Sequence, residues 1–305
     1  MRTLLIFFLL LVNSSVQASE IIRIQTPYTA NHSGTLAMYR ITETANKIQK
    51  NYTFVLEFRP GGNQVIAVKH MDQDPQRNLA IVAASLVENI ELGHLRLEDY
   101  VPVWSLGDAC WVVMANNAQT SNLLGLKDTK EITVGTVGFG NASHLTALQI
   151  GRKHNLAVRM IPFKSNYDAV INLTGNNGVT LTLDTPQTFE NFKDKNPRLR
   201  MLAVSCARRL PDYPDIRTLR EQSILAPSVI NVVVANKIMP VNKRNQIEKI
   251  LHQAAEQVGE DEIRRSSGFV PPQFDGISAQ EHFDKSIELI ARLRKEFQKE
   301  IKQSQ

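Results

Sequence analysis

The sequence predicts an α/β protein built on parallel strands, and three observations carry that prediction. Short β-branched or apolar runs alternate with segments of helical periodicity along nearly the whole chain. The stretch 132–150, ITVGTVGFGNASHLTALQI, reads as strand, glycine turn and helix in immediate succession. The same device opens the chain, with an apolar run at 21–25, a polar loop from Pro27 to Gly34 and an amphipathic pattern over 35–50. Two such units in one chain suggest a ligand held from two sides.

The 305-residue chain starts with a targeting pattern. Met1–Arg2 supplies a positive charge, residues 4–12 form an unbroken apolar run, and Val16–Gln17–Ala18 is an A-x-A-like cleavage site. The run is too short to span a bilayer. A signal peptide at 1–18 and a mature protein from about Ser19 are expected, with no membrane span. The formal net charge of +5 is spread along the chain. No Lys/Arg block of the kind that binds nucleic acid occurs, so a nucleic-acid partner is not expected. Cys110 and Cys206 each sit on an expected strand. Whether they pair stays open, because pairing depends on a Cα separation that the sequence does not give. No Cys/His spacing suggests a metal site.

After the first unit, 52–58 reads as a strand that runs into the turn signal Arg59–Pro60–Gly61–Gly62–Asn63. A helix is expected to start at 65–70 and a buried strand to occupy 79–84. Residues 100–106 and 110–114 are apolar stretches broken at Gly107–Asp108. Beyond the central stretch, strands are expected at 157–163, 178–183, 201–206 and 229–235, and helices at 167–173 and 243–258. Residues 208–220 read as irregular, and 268–274 as loop or short strand. Residues 278–302 read as one long amphipathic helix opened by the capping box Ser278–Ala279–Gln280–Glu281.

The central stretch has the most chemistry. The turn is built on Gly135, Gly138 and Gly140, and the last two leave backbone unscreened at a helix N-terminus, where free N–H groups and the macrodipole favour an anion. Asn141 and Ser143 are both plausible caps. A plainer reading is a well-capped helix after a tight turn.

Several motifs together resemble a known family. Glu57-Phe58-Arg59-Pro60-Gly61-Gly62-Asn63 is similar to the "ENRPGAGGN" turn of the tripartite tricarboxylate transporter substrate-binding proteins, the Bug-type solute receptors. Thr136-x-Gly138-x-Gly140-x-x-Ser143-His144 resembles their "SAGxGSxSH" loop, and Ile161–Pro162–Phe163–Lys164 the start of "VPYKG". The run from Leu202 through Arg208, Pro211 and Asp215 to Leu219 resembles "LAVTSAKRxPALPDVPTL". These matches follow the family's order across essentially the whole mature chain.

The resemblance implies a type II periplasmic-binding-protein-like fold, two α/β lobes joined by crossover hinges with a ligand cleft between them. It places lobe 1 at 19–106 plus 225–305 and lobe 2 at 107–224. It implies a monomeric periplasmic receptor that delivers a small carboxylate solute to integral-membrane permease subunits, with no cofactor, no metal and no catalytic residue. The two strand-to-helix loops would grip the carboxylate, giving Tyr28, Thr29, Asn31, His32, Ser33, Gly34, Thr35, Thr136, Gly138, Gly140, Asn141, Ser143 and His144 as binding residues. Asp184 would meet the distal part of the ligand. Trp104 and Trp111 are expected in the core. The first loop departs from the family's "PFPPGGGTD": bulkier polar residues replace two glycines, and Leu36 stands where an acidic residue is usual.

Two other classes compete. A secreted hydrolase would need a nucleophile elbow G-x-S-x-G, and the sequence has none. A sensor of the same fold would signal to a membrane partner instead of feeding a permease.

Overall fold

The computed structural model describes residues 19–30, 32–116, 122–127, 129–206, 208–227 and 229–304. The expected leader at 1–18 and the candidate Asn31 lie outside the described residues. In chain order the elements are β1 (Glu20–Thr26), α1 (Ser33–Ile48), β2 (Tyr52–Phe58), α2 (Val65–Met71), β3 (Asn78–Val82), α3 (Ser85–Glu91), β4 (Tyr100–Ala109), β5 (Val112–Asn116), β6 (Glu131–Thr136), α4 (Ala142–His154) and β7 (Ala157–Pro162). They continue with α5 (Asn166–Thr174), β8 (Leu181–Asp184), α6 (Pro186–Lys193), β9 (Leu199–Val204), β10 (Val229–Asn236), α7 (Val241–Val258), α8 (Glu260–Ser267), β11 (Phe269–Val270), α9 (Ala279–Glu296) and α10 (Gln298–Ser304).

Two sheets organise these elements. The first has six strands in the order β11-β4-β10-β3-β1-β2, and the second has five in the order β7-β6-β8-β5-β9. β1 lies parallel to both β2 and β3, while β10 returns antiparallel between β3 and β4. In the second sheet β6 runs parallel to β7 and β8, and β5 runs antiparallel to β8 and β9.

The first sheet is covered on both faces, so its central strands are mostly apolar, with Asn78 and Asn231 as buried polar exceptions in β3 and β10. All five residues of β3 are buried. Along β10, Val233 and Ala235 join Met38, Ile41 and Leu251 beneath α1 and α7, while Val232 and Val234 join Val68, Met71 and Phe283 on the opposite face. Met38 and Ile41 are fully buried, contributing about 1.5–3 kcal/mol each through burial.

The break expected at Gly107–Asp108 is not there. β4 runs through to Ala109, and the break falls at Cys110–Trp111. The glycine marks a bulge instead. The β4–β10 register slips beside Asn231, and Gly107 adopts a φ of +91°. A Cβ there would sit 1.7 Å from the Val270 carbonyl oxygen, so only glycine allows β11 to approach. Trp104 and Trp111 are buried in the core, as expected.

The second sheet brings the cysteines together. Val112 pairs with Val204 in antiparallel register, and two residues beyond that pair on each chain Cys110 and Cys206 come opposite. They form a disulfide with a Cα–Cα distance of 4.7 Å. The short helices α3, α6 and α8 were not anticipated. α6 has a legible start even so, with Thr185 capping it and Pro186 at its first position.

The long C-terminal helix is also two helices. Ser278 caps the first, its Oγ accepting from the Glu281 N–H. At Phe297 the backbone leaves helical geometry, the ring is buried, and Arg152 lies over it at 3.9 Å. Ile290, Leu293, Phe297 and Ile301 pack against α3, the start of β10 and α4. α9 and α10 therefore run from the first sheet to the helix layer of the second.

Candidate functional site

Both strand-to-helix loops lie at the C-terminal ends of parallel strands, where α/β sheets bind ligands. The second loop, between β6 and α4, is a closed hydrogen-bond network. Asn141 caps α4, and its Oδ1 accepts from the His144 N–H at 2.9 Å, the Ser143 hydroxyl at 2.9 Å and the Thr136 hydroxyl at 3.1 Å. The two hydroxyls also meet each other at 2.5 Å. Whichever way their protons are arranged, both are spent inside the loop. Thr136 and Ser143 thus keep their hydroxyl protons inside the loop, and the donors it leaves for a ligand are the Asn141 Nδ2 amide, which lies near Gly138, and backbone groups. The Ala142 and Ser143 N–H groups take no acceptor among the described residues. They sit at the positive end of a thirteen-residue helix.

Gly140 is fixed from two directions. Its N–H donates to His144 Nδ1 at 2.8 Å, and its carbonyl accepts from Arg294 Nη1 at 2.8 Å. Its φ is +70°, and a Cβ there would lie 2.1 Å from that same guanidinium nitrogen. Arg294 comes from α9, is 8 % exposed, and also binds Glu91 of α3 at 2.8 Å. The bond from Gly140 leaves Nδ1 of His144 unprotonated, so the neutral ring carries its proton on Nε2, which is buried without a partner. Gly138 remains half-buried at the loop's tip.

The first loop is built differently from the family pattern. α1 begins at Ser33, two residues earlier than expected, because His32 serves as its cap. Nδ1 of His32 accepts from the Gly34 N–H at 3.1 Å, and the His32 N–H donates to the Thr29 carbonyl. The His32 ring stacks on Tyr28 with centroids 3.9 Å apart. Its proton likewise sits on Nε2. Thr29 is exposed and Ser33 half-buried. Gly34 and Thr35 are buried, and Thr35 Oγ1 has no partner. No hydrogen bond joins the two loops among the described residues.

Asp184 ends β8, and its Oδ1 accepts from the Thr185 N–H at 2.7 Å. The neighbouring Thr185 and Pro186 face Gly268, whose missing Cβ would meet them at 3.9 and 3.7 Å. A Cβ at Gly34 would in turn meet the Phe269 ring at 3.4 Å. β11 therefore lies between the first loop and Asp184.

The buried titratable groups give the protein a defined pH response. Burial pushes the His32 imidazole down to about 4, and burial with Arg294 nearby does the same to His144. Unfolded histidine titrates near 6.5. Between about 6.5 and 4 the unfolded chain therefore binds protons that the folded rings refuse, and stability falls as pH drops. Asp184 works in the opposite sense. Burial raises it to about 6 against the opposing bonds from Thr185 and Thr188, so the folded state takes up its proton first between about 6 and 3.8. Two histidines outweigh one aspartate. The melting temperature is expected to fall between pH 7 and pH 5, and to fall less steeply in His144→Gln, whose amide can still accept from Gly140. Thermal melts across that range check this.

One cluster has the look of a catalytic triad. His282 places Nδ1 2.9 Å from Ser105 Oγ and Nε2 3.0 Å from Asp108. Ser105 is 2 % exposed, however, and its Oγ accepts from the Gly107 N–H at 3.0 Å. The three residues tie α9 to the end of β4 and offer no accessible nucleophile. Among the described residues no group of three or more His, Cys, Asp or Glu could hold a metal ion, and no helix is long and apolar enough to cross a membrane.

Three residues at or behind the loops escaped the sequence reading. Gln64, at a φ of +79°, accepts from the Ala83 N–H through Oε1 and faces the Tyr28 hydroxyl. Asn231 also faces that hydroxyl. It is the one polar residue between Val229 and Ala235, a signal that was legible. Arg294 carries no local signal, being one cation among several on an amphipathic helix.

Comparison with known proteins fits this geometry. A family model described as the tripartite tricarboxylate transporter family receptor matches residues 38–261, a span that holds the glycine loop and begins just after the divergent first loop. Protein BugT of Bordetella pertussis is 29 % identical over 131 residues, covering 41 % of this chain and 40 % of that relative's length. Among solved structures, the periplasmic binding protein BugD has a TM-score of 0.74 at 17 % identity, covering 92 % of this chain and 97 % of its own. MatC from Rhodopseudomonas palustris with bound malate has a TM-score of 0.73 at 15 % identity, covering 90 % and 98 %. A second R. palustris protein, with adipate, has a TM-score of 0.76 at 15 % identity, covering 92 % and 97 %. At such identities the structural likeness shows the fold, that of two-lobed periplasmic binding proteins.

Proposed function

The chain belongs to the tripartite tricarboxylate transporter receptor family, and from that premise we propose that it is a periplasmic solute receptor that captures a small carboxylate and presents it to membrane permease subunits. The observation that carries this reading is the glycine loop, which spends its hydroxyl protons internally and leaves the Ala142 and Ser143 N–H groups at a helix N-terminus. Nε2–H of His32 is the matching donor from the first loop. One carboxylate bridging these donors gives each oxygen a partner without a formal cation, and closure of the lobes then removes it from water. Two structural relatives hold malate and adipate, which fits a carboxylate cargo. No covalent step enters this reading.

A thermal-shift screen of the mature protein against mono-, di- and tricarboxylates tests it. A ligand that binds only the native state raises the melting temperature by mass action. At least one carboxylate is expected to give a concentration-dependent rise that Asn141→Ala abolishes, because that change removes the cap ordering the seat, at a stability cost of about 1 kcal/mol. Absence of a rise with every carboxylate contradicts the proposal.

A further inference from the structure

We propose that Asn231, which lies on neither cleft loop, contacts the ligand and selects carboxylates that bear a hydroxyl over those that lack one. This rests on the receptor reading above. Asn231 is 1 % exposed, and neither its Nδ2 nor its Oδ1 has a hydrogen-bond partner. Buried side-chain amides are ordinarily satisfied, so an amide orphaned at both ends inside a valine-rich strand calls for a cause.

Its position supplies one. Asn231 pairs with Gly107 at the β4 bulge and lies one residue before the Val232–Val82 pair, at the end of the sheet where β3 gives way to α3. By strand alternation it shares the face of Val233 and Ala235, the face that α1 covers. The Tyr28 hydroxyl lies beside it. Thr35 Oγ1, in the first turn of α1, is a second buried atom without a partner on that face. Thr35, in the first turn of the sixteen-residue helix α1, and Asn231, beside the Tyr28 hydroxyl, are thus two buried side chains with unpaired polar atoms at or next to the first loop.

The chemistry of the amide sets the preference. Asn231 offers two N–H donors and a carbonyl acceptor, none paired at full hydrogen-bond geometry, with the Tyr28 hydroxyl as their polar neighbour. A carboxylate only accepts and would leave Oδ1 unpaired, while an ammonium only donates and would leave Nδ2 unpaired. A hydroxyl does both. A hydroxy acid can therefore seat its carboxylate at the loops and its hydroxyl on Asn231.

Calorimetric titration of wild type and Asn231→Leu with two matched pairs, succinate against malate and butyrate against 3-hydroxybutyrate, tests this. Wild type is expected to bind the hydroxylated member of at least one pair about tenfold or more tightly. Asn231→Leu is expected to bind both members alike, with an unliganded melting temperature equal to or above that of wild type, since an unpaired buried amide has been removed. If the leucine variant fails to fold, Asn231→Ala gives the same reading. Equal binding of both members by wild type, or discrimination retained in the variant, overturns the assignment of Asn231 and leaves the receptor reading standing. No binding of any acid to wild type overturns the receptor reading and this inference together.

Discussion

Arg294→Leu is expected to lose about 3 kcal/mol of folding stability and about tenfold or more in carboxylate affinity. Arg294 touches the glycine loop that follows β6 and the helix α3 at once, through the Gly140 carbonyl and Glu91. Its guanidinium is nearly buried, with Glu88 within 4.0 Å. Leucine would strand the Gly140 carbonyl and remove the Arg294–Glu91 ion pair. Much of the loss comes from the Gly140 side, since Glu91 is half-exposed and its ion pair is screened by solvent. The affinity loss follows from geometry, because Gly140 at its positive φ sets the direction in which the Ala142 and Ser143 amides point. Arg294→Lys is expected to recover part of the stability and little of the affinity, because an ammonium cannot reproduce the planar fork. Urea unfolding and calorimetric titration of the three proteins check both numbers. Unchanged affinity in Arg294→Leu would mean that the loop holds its shape alone.

Removing the disulfide has the other large effect. Cys110 and Cys206 close a loop of 96 residues in sequence separation, and a cross-link of that span restrains the unfolded chain by about 4.7 kcal/mol. The bond also fastens the crossover after β4 to the end of β9, where Trp111 and Ser205 already exchange hydrogen bonds at 2.7 and 2.8 Å. The Cys110→Ser/Cys206→Ser double variant, and wild type kept under reductant, are both expected to unfold at clearly lower urea concentration than oxidised wild type. Equal midpoints would show that the bond contributes nothing to the folded state's advantage.

What the sequence disclosed and what it withheld separate along one physical line. Features set by local periodicity and capping were legible. β2 matches its expected bounds, the strand, turn and helix around Gly138 fall where the glycines and Asn141 placed them, and Ser278 does cap α9. Features set by partners distant in the chain were not. The Cys110–Cys206 pairing depends on the β5–β9 register. Gly107 looked like a strand breaker, because nothing local reveals that the Val270 carbonyl approaches it. His32 was expected to line the cleft as a ligand donor, and it also caps α1, occupying the Gly34 amide. Thr136 and Ser143 were expected at the binding loop, and nothing local reveals that their hydroxyl protons stay inside the network around Asn141. Arg294 reaches Gly140 across 154 residues of sequence, and only the fold brings them together.

The most direct test of the central claim is a titration of ¹⁵N-labelled mature protein with the carboxylate that gives the largest thermal shift, following backbone amide resonances and the His32 ring. The Ala142 and Ser143 amides and His32 Nε2 are expected to shift together along one saturation curve, as one carboxylate held between two loops requires. Shifts confined to residues outside 28–35 and 138–144, or two loops that saturate at different concentrations, would contradict it.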